Sequence, residues 1–518
     1  MLTKSNLIRF VIISSILIIA AILRLKGLAL RGGLEWDEIS LWYESLSNFR
    51  SPYMAPLPPL IFGYFLALVN SAEYYQFHLP SIIAGTCSCF FIFLATRSIV
   101  GFWWACFAAL LMAISPLGIY YSQEARHYAL VQLFAAALLA VVTHLDVCRI
   151  NTIKLTKTNL ALLLVSLLAL LTHVVFAHLI VSLVISLVLL TALKDLTKKS
   201  AFITALSVIT GSFIGTIWIW QRPISESLSS GEFAHGLLQF VRSSLSALTV
   251  ELNYSRFAPV SSSDLRTLVL TLLAIGGINY CWRTKFRLTA AFILFSVCGS
   301  LSLLYLTMGE KADWSWFRYL SHLLPLVLIV IALGVRSFSL SLRNRLLGRS
   351  VIVLVLLLIY PNPINLFRVN EYERGRLIRL AHSELKQIQN EVDAILIPEP
   401  NWGYGVESER NLSYYFNHRL TELPVYYVAR NSIKQIQTFP CKWNLCTLTA
   451  PGSSLGEQLP KGRYALFPYG LLRSDGALGQ NKPKCPLLNK FNLIKQQNMR
   501  RHQIQNRPSN LIETCQIY

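Results

Sequence analysis

Leu34-Glu35-Trp36-Asp37-Glu38 places three carboxylates within a span of four residues, just after a long apolar run. An ionised carboxylate costs several kcal/mol to desolvate unless it is paired or coordinated. This stretch is therefore either a solvated loop or a site built around Asp37 and Glu38, and the rest of the chain favours a site. A carboxylate can deprotonate an acceptor hydroxyl, or hold a divalent metal such as Mg or Mn beside a phosphate. A second polar run, Gln123-Glu124-Ala125-Arg126-His127-Tyr128, again follows an apolar stretch. A third group holds Glu310, Lys311, Asp313 and Arg318, and His173 sits between two further apolar runs. Guanidinium groups clamp phosphate through paired hydrogen bonds, so Arg126 and Arg318 suit a phosphate leaving group. Together these residues suggest transfer of a group from a phosphate-bearing donor. The membrane setting points to a lipid phosphate.

That setting follows from composition. Of 518 residues 54% are hydrophobic and only 14% charged, and the apolar residues come in long blocks. Runs of about 18 or more apolar residues read as membrane-spanning helices. The net charge of +21 reflects basic cytoplasmic loops, not nucleic-acid binding, because no soluble segment carries a basic stripe with interleaved aromatics. Residues 7–22 follow Lys4 and Arg9 like a signal peptide. No small-x-small cleavage site follows, and Arg24 and Lys26 come next, so this is an uncleaved first span.

With the N-terminus inside, spans are predicted over 7–22, 81–96, 102–120, 129–145, 160–171, 175–193, 201–220, 265–282, 288–307, 319–335 and 351–360. Leu57–Val69, entered through Pro58-Pro59, is too short to cross and is expected to lie in the interface. The inward spans then end at Arg97, at Arg149 and Lys154, at Lys194 and Lys198, at Arg283 and Lys285, and at Arg336 and Arg343. That agreement with the positive-inside rule supports about eleven spans. It places every distinctive polar cluster on the external side.

The texture changes after Pro361. Residues 371–391 and 411–416 read as helices, and 393–398, 424–428 and 463–467 as strands. The expectation is a membrane domain over residues 1–360 and a small external α/β domain over 361–518, with a poorly ordered tail after about 489. Cys441, Cys446, Cys485 and Cys515 in that domain are compatible with two disulfides or with free thiols.

Trp36-Asp37-Glu38, then Pro58-Pro59-Leu60, then Ser115-Pro116-Leu117-Gly118-Ile119-Tyr120-Tyr121-Ser122-Gln123-Glu124-Ala125-Arg126-His127-Tyr128 resemble signatures of the GT-C fold membrane glycosyltransferases. The similarity is to the bacterial branch related to dolichyl-phosphate-mannose protein mannosyltransferases and aminoarabinose lipid A transferases. Arg318-Tyr319-Leu320 followed by Pro325 resembles a later family segment, and the similarity covers roughly residues 7–335. It implies a mainly helical polytopic fold and inverting transfer of a sugar from a polyprenyl-phosphate donor. The acceptor would be a lipid, glycan or protein on the outer face of the plasma membrane. It also implies that Asp37 is base or metal-linked acid, with Glu38 beside it and Glu124 as the second-loop acid. Arg126, Tyr128, Arg318, Tyr319 and His173 would contact substrate, and Asp37 and Glu124 would hold a metal if one is used. Many relatives carry His or Lys where this chain has Leu57. A lipid-linked glycan flippase, an oligosaccharide ligase and a non-catalytic scaffold are the rival readings. A transporter calls for charges and broken helices near the bilayer midplane, whereas here the polar clusters gather at one face.

Overall fold

The computed structural model describes residues 4–26, 28, 38, 41, 45, 55–69, 74–148, 152–217, 264–308, 320–341, 350, 352, 355, 390, 391, 393–398, 425–429, 432–436, 462–466, 491–495 and 513–517. Its helices are α1 (Lys4–Leu25), α2 (Leu57–Val69), α3 (Tyr74–Phe77), α4 (Leu79–Val100), α5 (Phe102–Ile114), α6 (Pro116–Gln123) and α7 (Tyr128–Cys148). They continue with α8 (Thr152–Thr172), α9 (Phe176–Ala192), α10 (Lys198–Thr216), α11 (Asp264–Arg283), α12 (Arg287–Met308) and α13 (Leu324–Ser341). Among the described residues, four helices are long and apolar enough to cross a membrane: Ser5–Leu25, Leu79–Val100, Tyr128–Cys148 and Leu320–Ser341. A fifth arises if α5 and α6, bent by 55°, form one broken span; others, such as Phe176–Ala192, are apolar but shorter. Large apolar side chains such as Phe10, Phe202 and Phe213 are exposed on these helices, as an acyl-chain solvent requires. The chain is a mainly helical polytopic membrane protein. The expected last span, 351–360, lies almost wholly outside the described residues.

The chain divides into two compact units. The first comprises residues 1–26, 51–61 and 78–367, and its two ends differ in chemistry. At one end the α9–α10 turn meets the α11–α12 turn through Asp195 and Arg287, whose carboxylate and guanidinium lie 2.8 Å apart. Asp146, near the C-terminus of α7, caps α12 at this same end. It accepts from the backbone N–H of Leu288 (3.3 Å) and Thr289 (2.9 Å) and from the Thr289 hydroxyl (2.7 Å). Lys194, Lys198, Lys199, Arg283 and Lys285 belong to these turns. The opposite end carries the C-terminus of α1, the α6–α7 turn and the α8–α9 turn.

Helices α11 and α13 pack backbone to backbone. A Cβ on Gly277 would run into the backbone of Val330, and one on Gly334 into that of Leu273. Small residues at such crossings replace hydrophobic burial as the source of affinity between helices in lipid.

The second unit comprises residues 27–50, 62–77 and 368–518. Its strands are β1 (Ala394–Pro398), β2 (Val425–Ala429), β3 (Ser432–Ile436), β4 (Gly462–Leu466), β5 (Phe491–Lys495) and β6 (Glu513–Ile517). They form one mixed sheet in the order β3-β2-β1-β4-β6-β5, with β1 parallel to both β2 and β4 and the remaining pairings antiparallel. The stretch after residue 489, expected to be poorly ordered, supplies β5 and β6. Residues 371–389 and 411–416 lie outside the described residues, as do Cys441, Cys446 and Cys485.

Candidate active site

The α6–α7 turn owes its position to a break in the preceding span. The sequence reads 102–120 as one span, but Pro116 has no N–H to offer Met112 and its ring opposes a continuous helix. The backbone turns at Ser115 (φ −59°, ψ 121°), whose hydroxyl caps α6 by accepting from the Gly118 N–H at 3.3 Å. The break leaves the carbonyls at the end of α5 without helical donors, and a buried acceptor left open costs about 1–3 kcal/mol.

Arg24 supplies the missing donors. Its side chain, at the end of α1, is completely buried. Nη2 donates to the Met112 carbonyl at 3.2 Å, and Nη1 to those of Ala113 at 3.1 Å and Ala20 at 3.0 Å. Nε donates to the Ser122 hydroxyl at 3.1 Å, and that hydroxyl donates to the Gly118 carbonyl. A cation at the C-terminal carbonyls of α5 also meets the negative end of that helix. Gly85 of α4 makes room, since a Cβ there would collide with the Ser122 hydroxyl and approach Arg24 Nε to 2.9 Å. A contact in the reverse direction completes the join. The Gln123 amide donates to the carbonyls of Leu23 (3.4 Å), Arg24 (3.2 Å) and Lys26 (2.9 Å), which α1 leaves open at its C-terminus.

The chain leaves the helix at Glu124 in extended conformation (φ −86°, ψ 132°). The Glu124 side chain is buried at 3% exposure. The Arg126 guanidinium lies over the Tyr128 ring, 4.9 Å from its centroid, an attraction worth about 0.5–2 kcal/mol. The Ser81 hydroxyl donates to the Arg126 carbonyl at 3.2 Å, tying the start of α4 to the same turn. The His127 ring stacks on that of His173, with centroids 4.6 Å apart and planes 23° from parallel. His173 Nδ1 accepts from the Val175 N–H at 3.0 Å, fixing the ring at the α8–α9 turn. Glu124, Arg126, Tyr128 and His173 therefore share one end of the helical unit.

Glu38 is buried as well, and positions 38, 41 and 45 are helical and buried, a spacing that puts them on one helix face. It belongs to the second unit. Asp37, Arg318 and Tyr319 lie outside the described residues. Among the described residues no group of three or more His, Cys, Asp or Glu side chains could hold a metal ion, and no chemical step is derived through one. Of the two carboxylates expected to bind it, Glu124 is described and Asp37 is not.

Sequence reasoning missed other polar groups. His178 and His322 bring their Nε2 atoms to 2.9 Å, and the Ser300 hydroxyl lies 2.6 Å from the first and 3.0 Å from the second. This cluster links α9, α12 and the turn before α13 inside the helical unit. Gln132, one turn along α7 from Tyr128, buries both amide atoms with no hydrogen-bond partner among the described residues. Single polar residues inside apolar runs give no periodic signal. Arg24 reads as a flanking charge in the same way, although Pro116 marks carbonyls in need of a donor.

No family model matches the chain, and no curated protein matches it. Solved structures do. ArnT from Cupriavidus metallidurans in the apo state is similar at a TM-score of 0.52 and 12% identity, covering 81% of this chain and 86% of that one. The same protein bound to undecaprenyl phosphate gives 0.50 at 12% identity and the same coverage. The archaeal oligosaccharyltransferase AglB from Archaeoglobus fulgidus, in complex with an inhibitory peptide and a dolichol-phosphate, gives only 0.40 at 13% identity, over 75% and 62% of the two chains. The chain therefore shares the fold of the ArnT structures, at low sequence identity.

Proposed function

We propose that this chain is a membrane glycosyltransferase that moves a sugar from a polyprenyl-phosphate donor to an acceptor hydroxyl on the non-cytoplasmic face. The observation that carries the reading is the convergence at one end of a GT-C bundle. There the buried Glu124, the Arg126–Tyr128 pair and the His127–His173 stack meet beside the C-terminus of α1. The lysines and arginines of the opposite end support a cytoplasmic position for it. ArnT, of the same fold, has been captured with undecaprenyl phosphate, which supports a lipid-phosphate donor here.

In the proposed step Asp37 takes the proton of the acceptor hydroxyl. The oxygen attacks the anomeric carbon from the side opposite the phosphate. The bond from that carbon to the phosphate oxygen breaks, and the lipid phosphate leaves with the electron pair. Arg126 and Arg318 stabilise its charge, Glu38 and Glu124 each supply a further carboxylate, and the aromatic and imidazole rings of Tyr128, Tyr319 and His173 contact the substrate. Residues 361–518 form an external domain.

Mass spectrometry of membrane lipids and envelope glycans, with and without the gene, tests this. The expected result is an accumulated polyprenyl-phosphate sugar and a missing glycan modification in the deletion strain. Unchanged profiles of both overturn the reading. Accumulation of an unmodified lipid-linked glycan on the cytoplasmic side, with flux restored by the protein in vesicles, indicates a flippase instead.

A further inference from the structure

We infer that Arg24 and Gln123 act as positioning residues for the transfer site, a role that rests on the glycosyltransferase reading. They form a reciprocal staple. Arg24 reaches from α1 to the carbonyls exposed by the Pro116 break, at Met112 and Ala113, and to Ser122. Gln123 reaches back to the carbonyls at the end of α1, at Leu23, Arg24 and Lys26. The two side chains face opposite ways across one junction and leave little freedom for sliding or rotation between α1 and α6.

Both ends of the junction lead to the chemistry. Glu124 follows Gln123 directly, with Arg126 and Tyr128 in the same turn. On the other side the chain leaves Lys26 for Asp37 and Glu38. The staple fixes where the turn that carries Glu124 stands relative to the C-terminus of α1. Apart from the bond from Arg24 to the Ser122 hydroxyl, its hydrogen bonds set side-chain donors against backbone carbonyls. Arg24 touches no reacting atom; it is fully buried and acts through the turn it holds.

The proline makes the role separable from simple satisfaction of buried carbonyls. Replacing Pro116 by alanine gives Met112 a backbone N–H at the proper spacing. The Pro116→Ala change should therefore relieve the carbonyl defect caused by Arg24→Met, while straightening the break and moving the turn. If Arg24 only satisfies carbonyls, the double variant matches Pro116→Ala alone in both stability and turnover. If it positions the turn, the double variant matches Pro116→Ala in stability but falls below it in turnover.

The experiment uses the full chain in lipid nanodiscs: wild type, Arg24→Met, Arg24→Lys, Gln123→Leu, Pro116→Ala, and Arg24→Met with Pro116→Ala. Turnover is measured with lipid extract of the gene-deleted strain as donor. Undecaprenyl phosphate is the binding probe, and amide exchange is followed over residues 119–128. Arg24→Met and Gln123→Leu are expected to lower kcat by roughly 100-fold, as a misplacement of about 1 Å would, with undecaprenyl phosphate binding little changed and exchange at 119–128 raised. Arg24→Lys recovers part of the turnover, and the double variant regains the thermal stability of Pro116→Ala but not its turnover. Recovery of both to the level of Pro116→Ala, or wild-type turnover by Arg24→Met, overturns the proposal. If the wild type itself transfers no sugar, the glycosyltransferase reading fails. Amide exchange then judges the staple, and unchanged protection at 119–128 in both single variants overturns it.

Discussion

The imidazole rings of His127 and His173 lie nearly parallel with their centroids 4.6 Å apart, joining the α6–α7 turn to the α8–α9 turn. The contact bridges two loops that the sequence keeps more than forty residues apart, and it brings both to the face that carries Glu124. His173→Ala is expected to lower sugar transfer by about three- to tenfold, the rate equivalent of a ring contact worth ~1 kcal/mol. His173→Phe keeps the ring and should retain most of the turnover. Steady-state turnover of the two variants in nanodiscs makes the comparison, and equal loss in both would shift the role from the ring face to the Nδ1 acceptor.

The proposed chemistry assigns different work to Asp37 and Glu124. Asp37→Asn removes the base and is expected to lower transfer by roughly 100-fold or more. Glu124→Gln should also cut turnover, while both variants insert into the membrane normally. Protease protection reports insertion, and vesicle assays report transfer. Near wild-type transfer by either variant removes that carboxylate from the mechanism.

At the opposite end, the Asp146 carboxylate accepts two backbone N–H groups and a hydroxyl at the start of α12. Asp146→Ala takes away every one of these acceptors inside a buried site and is expected to cost about 3 kcal/mol. Asp146→Asn retains a neutral acceptor oxygen and should cost about half as much, because charge-assisted bonds are roughly twice as strong. Thermal unfolding in detergent separates the two.

The close contact of α11 and α13 gives a sharp contrast between glycines. Gly277→Ala and Gly334→Ala each drive a methyl group into facing backbone and are expected to destabilise by about 1–3 kcal/mol. At Gly299 a Cβ would meet only the Ser182 hydroxyl at 3.7 Å. Gly299→Ala should instead be neutral or stabilising, by up to about 1 kcal/mol from helix propensity. Unfolding midpoints of the three variants provide the check, and a destabilised Gly299→Ala would contradict the packing argument.

Much of the bundle was legible because long apolar runs and basic loop ends are strong signals. The bounds expected for the short helix, Leu57–Val69, are those observed. Gln123 ties the end of α1, and Ser81 ties the start of α4, to the same turn. Apolar composition continues through the break at Pro116, so hydropathy does not mark it. Arg24 and Asp146 have partners that are mostly backbone groups about 90 to 140 residues away, and no local pattern records such a contact. In the sheet, β1, β2 and β4 announce themselves as apolar runs. In contrast β3 (SIKQI) and β6 (ETCQI) mix polar residues into short segments whose strand character depends on their neighbours.

The cap on α12 also bears on the order of assembly during synthesis. Asp146 is made 142 residues before Leu288, so its carboxylate is in place by the time the first turn of α12 leaves the ribosome. That turn does not have to wait for downstream sequence to satisfy its amides. It docks on a helix already inserted, and the later third of the bundle is registered against the earlier part as it emerges.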